Sequence, residues 1–264
     1  MYPFTLERPS TTAEAAKLAG AGGRPLAGGQ TLLASMKLRL SSSEQLVDLG
    51  GIQELTGICR DGDALVIGAM MRHADVASHA EVKALIPALA DLANHIGDRQ
   101  VRAMGTLGGS VANNDPSACY PSAVLALGAT IHTTARKIAA DDFFQGMFTT
   151  ALKEDELITA ISFPIPQRAA YMKFKQQASR FAMVGVFVAQ FPSGARVAVT
   201  GASSNGVFRP ADLEQALSES FTAEAAAKVK ISADGLNADI HGSAAYRANL
   251  ISVQTQRAVT KALG

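Results

Sequence analysis

Pro25-Leu26-Ala27-Gly28-Gly29-Gln30-Thr31-Leu32-Leu33 is the stretch whose reading decides the fold. A short apolar run meets two glycines, a hydroxyl residue follows, and a periodic segment continues to Leu40. Paired glycines let a backbone turn tightly and bring its N–H groups close to a ligand. Thr31 is expected to cap a helix reaching about Leu40, whose free N–H groups then face back at the loop. Such a loop suits a phosphate or pyrophosphate. A plain glycine turn entering a helix has the same signature, and this stretch alone does not separate the two.

Working outward, Phe4 to Arg8 reads as a short strand. Thr11 and Glu14 mark the start of a helix over Ala13–Ala19, which Gly20-Ala21-Gly22-Gly23 ends. Arg24–Ala27 and Gln45–Leu49 read as strands, so residues 1–55 form a β-α-β-α-β unit with the glycine loop between a strand and a helix. Two β-runs between Leu55 and Gly68 meet at Asp61-Gly62, a hairpin signal. Arg72–Gly97 has a helical pattern that Pro87 breaks near Ile86. Gly97–Asn114 reads as irregular, and Tyr120–Leu127 as a helix started at Pro121. Strands around Thr130–Thr133 and Lys137–Ala139, a helical turn over Asp141–Gly146 and a strand over Glu156–Phe163 lead to Pro164-Ile165-Pro166, read as a boundary.

Beyond it come strands over Ala170–Gln176, Met183–Phe191 and Ala195–Ala202. Helices are expected at Ala211–Ser218, Ala223–Val229 and Ala244–Leu263, the last placing Tyr246, Leu250, Val253 and Val259 on one face. The expected class is α+β, with divisions at 1–55, 56–166 and 167–264.

Composition narrows the function. The 264 residues are 48% hydrophobic and 18% charged, which suits a folded globular chain rather than a disordered one. A net charge of +1 gives no basic surface for nucleic acid. No apolar run is long enough to span a membrane, and Met1–Arg8 has no signal-peptide pattern. Two distant cysteines, Cys59 and Cys119, fit a reducing cytoplasm. Five histidines show no ligand spacing, so neither a metal nor an iron–sulfur site is expected on this chain. No nucleophilic triad or acid–base pair stands out, and no catalytic side chain is assigned.

A second run, Arg102-Ala103-Met104-Gly105-Thr106-Leu107-Gly108-Gly109-Ser110, repeats the first in composition: paired glycines beside a hydroxyl residue. Two such loops can close on a diphosphate from opposite sides. Neither is a P-loop or a GxGxxG dinucleotide fingerprint. The alternative is that Gly108-Gly109 only lets adjacent loops lie close together.

Four ordered blocks carry a resemblance: Phe4–Pro9, Leu26–Leu33, Val101–Ser110 and Phe174–Arg180. Their order and spacing resemble the FAD-binding medium subunit of molybdenum hydroxylases, of the aerobic carbon monoxide dehydrogenase and xanthine dehydrogenase type. The resemblance implies a PCMH-type FAD-binding fold, two α+β subdomains clasping FAD, followed by a C-terminal α+β domain. It implies FAD contacts from Ala27, Gly28, Gly29, Gln30, Thr31, Leu32 and Leu33, and from Thr106, Gly108, Gly109, Ser110 and Ala112. It adds Ile96, Gly97, Leu157 and Lys175 to the pocket. Many members hold a ribose hydroxyl with an Asp where this chain has Cys119, a poor hydrogen-bonding group, which leaves Asp115, Asn114 or backbone for that role. Phe181 stands where relatives carry a tyrosine against the flavin ring, and simple core packing is its other reading.

The implied partners are a large subunit with the molybdenum–pterin cofactor and a small subunit with two [2Fe–2S] clusters, assembled as a dimer of heterotrimers. The implied role is electron transfer from those clusters through FAD to an external acceptor. Two other readings stand beside it: a stand-alone flavin oxidase or reductase of the same fold, and an assembly subunit without FAD.

Overall fold

The structure is a computed structural model that describes residues 1–264. The first segment holds β1 (Thr5–Glu7), α1 (Thr12–Gly20), β2 (Arg24–Leu26), α2 (Leu32–Lys37) and β3 (Gln45–Asp48). Its strands form a parallel sheet in the order β1-β3-β2. Short helices supply the crossovers that parallel pairing requires. Thr11 caps α1 by accepting the Glu14 N–H at 3.2 Å.

The second segment begins with a hairpin, β4 (Ile58–Asp61) and β5 (Ala64–Gly68), turned through Gly62 at φ +57°. Five short helices follow: α3 (His73–Ser78), α4 (Ala80–Leu85), α5 (Pro87–Asn94), α6 (Arg99–Met104) and α7 (Leu107–Asn113). Then come α8 (Tyr120–Ala126), β6 (Thr130–Thr133), β7 (Lys137–Ala139), α9 (Ala140–Phe143), the small hairpin β8 (Phe144–Gly146) and β9 (Thr149–Thr150), and β10 (Ile158–Pro164). An antiparallel sheet of order β4-β5-β10-β6-β7 backs the helices.

The third segment is a meander of β11 (Arg168–Lys175), β12 (Ala182–Phe191) and β13 (Gly194–Thr200), followed by α10 (Ala211–Glu219), α11 (Ala223–Lys228) and α12 (Ala244–Leu263). β12 is buried along eight consecutive residues, Ala182–Ala189, because it is covered on both faces.

The cores do not respect the segment boundaries. Tyr171, Phe187, Ala189 and Ala198 of the third segment join the main core of α5, α8 and β10. Leu157 reaches into the core of the first segment, among Ala15, Ala19, Val47 and Leu55. Polar ties reinforce this. Arg196 donates to Asp141 at 2.9 Å and to the Leu125 carbonyl at 2.8 Å, and Lys261 pairs with Asp91 at 2.7 Å.

Several expectations need correction. The stretch 97–114 is not irregular but holds α6 and α7, started by the side chains of Asp98 and Thr106. The helical run 72–97 breaks twice, at His79 as well as at Ile86, both of which leave helical dihedrals. Asp141–Gly146 is half helix and half strand, divided at Phe144. On α12 the buried face runs through Arg247, Leu250, Ile251, Gln254, Thr255, Ala258 and Val259, whereas Tyr246 is exposed.

Candidate functional site

The first glycine stretch leaves β2 and turns at Gly29, whose φ of +67° favours glycine. The Gly29 carbonyl accepts the Leu33 N–H at 3.1 Å, and Gln30 Nε2 donates to the Gly28 carbonyl at 3.3 Å. Thr31 does not cap the helix: it already has helical dihedrals, φ −101° and ψ −53°, and its hydroxyl takes no capping bond. A capping side chain needs a non-helical backbone to reach the first turn. Nor does the helix reach Leu40; Arg39, at φ +60°, ends it.

The backbone N–H groups of residues 27–32 donate to no protein atom, side chain or main chain. Six consecutive donors without an acceptor is an unusual row in a folded chain, where backbone groups are paired unless water or a ligand takes them.

The second stretch has the same composition and the opposite accounting. Leu107 N–H donates to the Met71 carbonyl at 3.0 Å and Gly108 N–H to the Ala69 carbonyl at 2.8 Å. Gly109 N–H donates to Thr106 Oγ1 at 3.2 Å, and Ser110 N–H to the Thr106 carbonyl at 3.0 Å. The expected second row of free donors at residues 107–110 is therefore absent; these N–H groups build the start of α7. A methyl added at Gly108 would stand 2.6 Å from Ala69 Cβ, so this glycine permits a close backbone approach.

The two stretches meet. A Cβ on Gly28 would collide with the Met104 carbonyl, with Gly105 Cα at 2.7 Å, and one on Gly109 would lie 3.2 Å from Ala27 Cβ. Beneath the joint sits His73, buried, with Nε2 where a Cβ on Gly105 would fall at 2.5 Å. Burial lowers the His73 pKa from 6.5 to about 4, with the nearby Arg102 charge adding to the shift. His73 is neutral at pH 7 and supports the loop without charge.

The turn Ile96-Gly97 flanks the joint, with Gly97 at φ +49°. Arg102 donates from Nη1 to the Ile96 carbonyl at 2.9 Å and to that of Gly97 at 3.3 Å. Sequence reasoning missed this clamp. It also missed Lys173, whose Nζ donates to the His95 carbonyl at 3.0 Å and lies 3.3 Å from Cys119 Sγ. The available signal was a lysine two residues after the buried Tyr171, hence on the inward face of a strand.

Other expected residues are placed as follows. Lys175 is exposed at the end of β11, turned out by a register shift at Phe174/Lys175. Phe181 is 49% exposed, after Arg180 at φ +63°, so core packing does not hold it. Leu157 is buried in apolar surroundings. Ser110 is half-buried with an unpaired hydroxyl, and Ala112 is exposed on α7. Cys119 is buried, and Asn114 is not available to a ligand through its amide, which donates to the Gly146 and Thr149 carbonyls at 2.7 and 2.9 Å. Asp115 accepts the Ser117 N–H at 2.8 Å with one oxygen and keeps the other.

The arrangement can hold an anion on the 27–32 donors against a backing of residues 104–110. The row of unpaired N–H groups fits a diphosphate-bearing cofactor, and Gly28 lets the loop lie directly against Met104 and Gly105 behind it. No three His, Cys, Asp or Glu side chains come together as metal ligands. No helix is long and apolar enough to cross a membrane.

Residues 2–166 match the family described as FAD binding domain in molybdopterin dehydrogenase. The chain is 35% identical to the carbon monoxide dehydrogenase medium chain of Afipia carboxidovorans, over 98% of this chain and 96% of the relative. It is 33% identical to the glyceraldehyde dehydrogenase medium chain of Sulfolobus acidocaldarius, over 98% of each. Its fold superposes on a chain of the reconstituted CO dehydrogenase from Oligotropha carboxidovorans with a TM-score of 0.91 and 33% identity, covering 99% of both chains.

Proposed function

Because the chain belongs to the family of FAD-binding medium subunits of molybdenum hydroxylases, we propose that it holds FAD at the joint of the two glycine stretches and serves as the electron outlet of a multi-subunit oxidoreductase. The row of unpaired N–H groups over residues 27–32 is the observation that carries this reading. Those donors bind the diphosphate. Residues 104–110 back the loop rather than clamp the ligand. Thr31 and Ser110 add hydroxyls, Ile96 and Gly97 form one wall, Asp115 offers its second oxygen to a ribose, and Phe181 lies open to stack on the flavin ring.

When bound, FAD takes electrons one at a time and delivers them as a pair. The chain itself binds, orients and shields that cofactor. Its electrons come from the two [2Fe–2S] clusters of a small subunit, which are reduced by a large molybdenum–pterin subunit, in a dimer of heterotrimers in the cytoplasm. The relatives' names cite carbon monoxide and glyceraldehyde, and the substrate chemistry of this complex sits on its molybdenum subunit. The segments 1–55 and 56–166 form the FAD-binding part, and 167–264 a further domain.

The test is to purify the chain with its co-expressed subunits, record the visible spectrum, and identify the flavin released on denaturation. One FAD per chain supports the reading. An intact but colourless complex rejects it.

A further inference from the structure

Cys119 and Lys173 form a pair that FAD binding does not use. They lie 54 positions apart, on the residue preceding α8 and on β11, with Sγ and Nζ 3.3 Å apart. Cys119 is 4% exposed. Tyr171, fully buried and with no hydrogen-bond partner for its hydroxyl, lies two residues before Lys173 on the same strand. Lys173 also donates to the His95 carbonyl at 3.0 Å, a second bond that holds its nitrogen beside the sulfur. A buried thiol and a partly buried amine held in contact are two nucleophiles within reach of one bridging oxygen.

We propose that Cys119 and Lys173 are a covalent cross-linking site, joined by an oxygen-bridged sulfur–oxygen–nitrogen bond when hydrogen peroxide reaches them. The thiol attacks one peroxide molecule: the O–O bond breaks, an S–O bond forms, sulfur loses two electrons, and water leaves. A second peroxide takes two electrons from the lysine nitrogen, in its unprotonated form, as the N–O bond forms: the peroxide O–O bond breaks, one N–H and the sulfenic O–H are lost, and two waters leave. In sum, one thiol, one amine and two peroxides give the bridge and three waters. The product has one oxygen more and two hydrogens fewer than the unlinked pair, and a thiol reductant reverses it. The bridge ties the second segment to the third beside the His95–Gly97 turn, and it shortens the loop available to the unfolded chain, as any cross-link does.

Cys59, exposed and free, is the internal control. The full chain is treated with increasing hydrogen peroxide until Cys59 is fully oxidised, then digested without reductant and read by mass spectrometry. The expected result is that the linked Cys119–Lys173 peptide pair becomes the dominant form of Cys119, that dithiothreitol releases it, and that the thermal midpoint rises while the bridge is intact. Lys173→Arg keeps a cation and is expected to give no link, with Cys119 then passing to sulfinic acid. Cys119 remaining a free thiol once Cys59 is oxidised, or reaching sulfinic acid in the unaltered chain without a link, overturns the proposal.

Discussion

The two glycine stretches read alike and are built differently. Residues 27–32 turn away from their own structure and leave six N–H donors unpaired, whereas residues 107–110 use theirs on Met71, Ala69 and Thr106. One loop is open toward a ligand and the other is a structural joint behind it. Composition does not distinguish them; the destination of each backbone hydrogen does. The glycines divide in the same way. Gly29 supplies a left-handed turn, whereas Gly28 and Gly108 supply clearance for a neighbouring backbone.

The largest expected effect breaks the joint from either side. Gly28→Val drives a side chain into Met104 and Gly105, and Gly108→Val drives one into Ala69. Each is expected to cost about 3 kcal/mol or more, because the obstructing atoms are backbone or fixed side chain. Denaturant unfolding of the cofactor-free chain measures it. If Gly28→Val lost FAD with its stability unchanged, the two stretches would not be in contact.

Acid tests the support beneath the joint. The folded chain holds His73 neutral down to about pH 4, while the unfolded chain protonates it near 6.5. The unfolded state therefore binds more protons between these values, and stability falls as pH drops from 6.5 to 4, by as much as about 3 kcal/mol. His73→Leu is expected to flatten that window in pH-dependent unfolding. Glu156 behaves differently: hydrogen bonds from Arg136 and Thr133 hold its pKa near 2, against 4.5, so its contribution is complete above 4.5 and is lost on the way to 2. A profile for Glu156→Gln that matched the unaltered chain below pH 4.5 would remove that ion pair from the account.

Gly29→Ala is a milder probe of the open loop. Its positive φ costs roughly 1 kcal/mol for alanine, and the added methyl meets side chains alone, Leu33 at 2.7 Å and Leu26 at 3.4 Å. Reduced FAD occupancy with a small loss of stability is expected. Smaller still, Phe181→Ala is expected to change stability by less than about 0.5 kcal/mol, since the ring is half exposed, yet to shift the bound flavin's visible spectrum. An unchanged spectrum would place Phe181 away from the cofactor.

Strands and long helices were legible because their periodicity is local. The β-α-β-α-β opening, the Asp61-Gly62 hairpin, the β11–β13 meander and α12 over Ala244–Leu263 all follow from alternation, caps and turn residues. Helices α6 and α7 were hidden, because Gly105, Gly108 and Gly109 look like loop residues while the caps that start the helices, Asp98 and Thr106, are single side chains. The Thr31 cap failed for the converse reason: a hydroxyl in the right place took a helical backbone. At the candidate site the two glycine stretches were readable as a pair, but as a clamp from opposite sides; their direct contact was only the alternative reading. The destinations of the N–H groups, the Arg102 clamp and the inward Lys173 were not readable, since each depends on residues brought close only by the fold.

Leu32 and Leu107 permit a matched measurement. Replacing each by leucic acid exchanges one amide N–H for an ester oxygen and leaves the side chain untouched. Leu32 N–H has no protein acceptor, whereas Leu107 N–H donates to Met71 at 3.0 Å. The ester at Leu32 is expected to cost cofactor-free stability only the small weakening of the Thr31 carbonyl, which accepts the Ser35 N–H at 3.0 Å, and to weaken FAD binding about tenfold, the loss of one hydrogen bond to a charged group. The ester at Leu107 is expected to cost about 1 kcal/mol of stability with FAD affinity nearly intact. Unchanged FAD affinity at Leu32, or equal effects at both positions, would contradict the assignment of residues 27–32 as the loop that holds the cofactor.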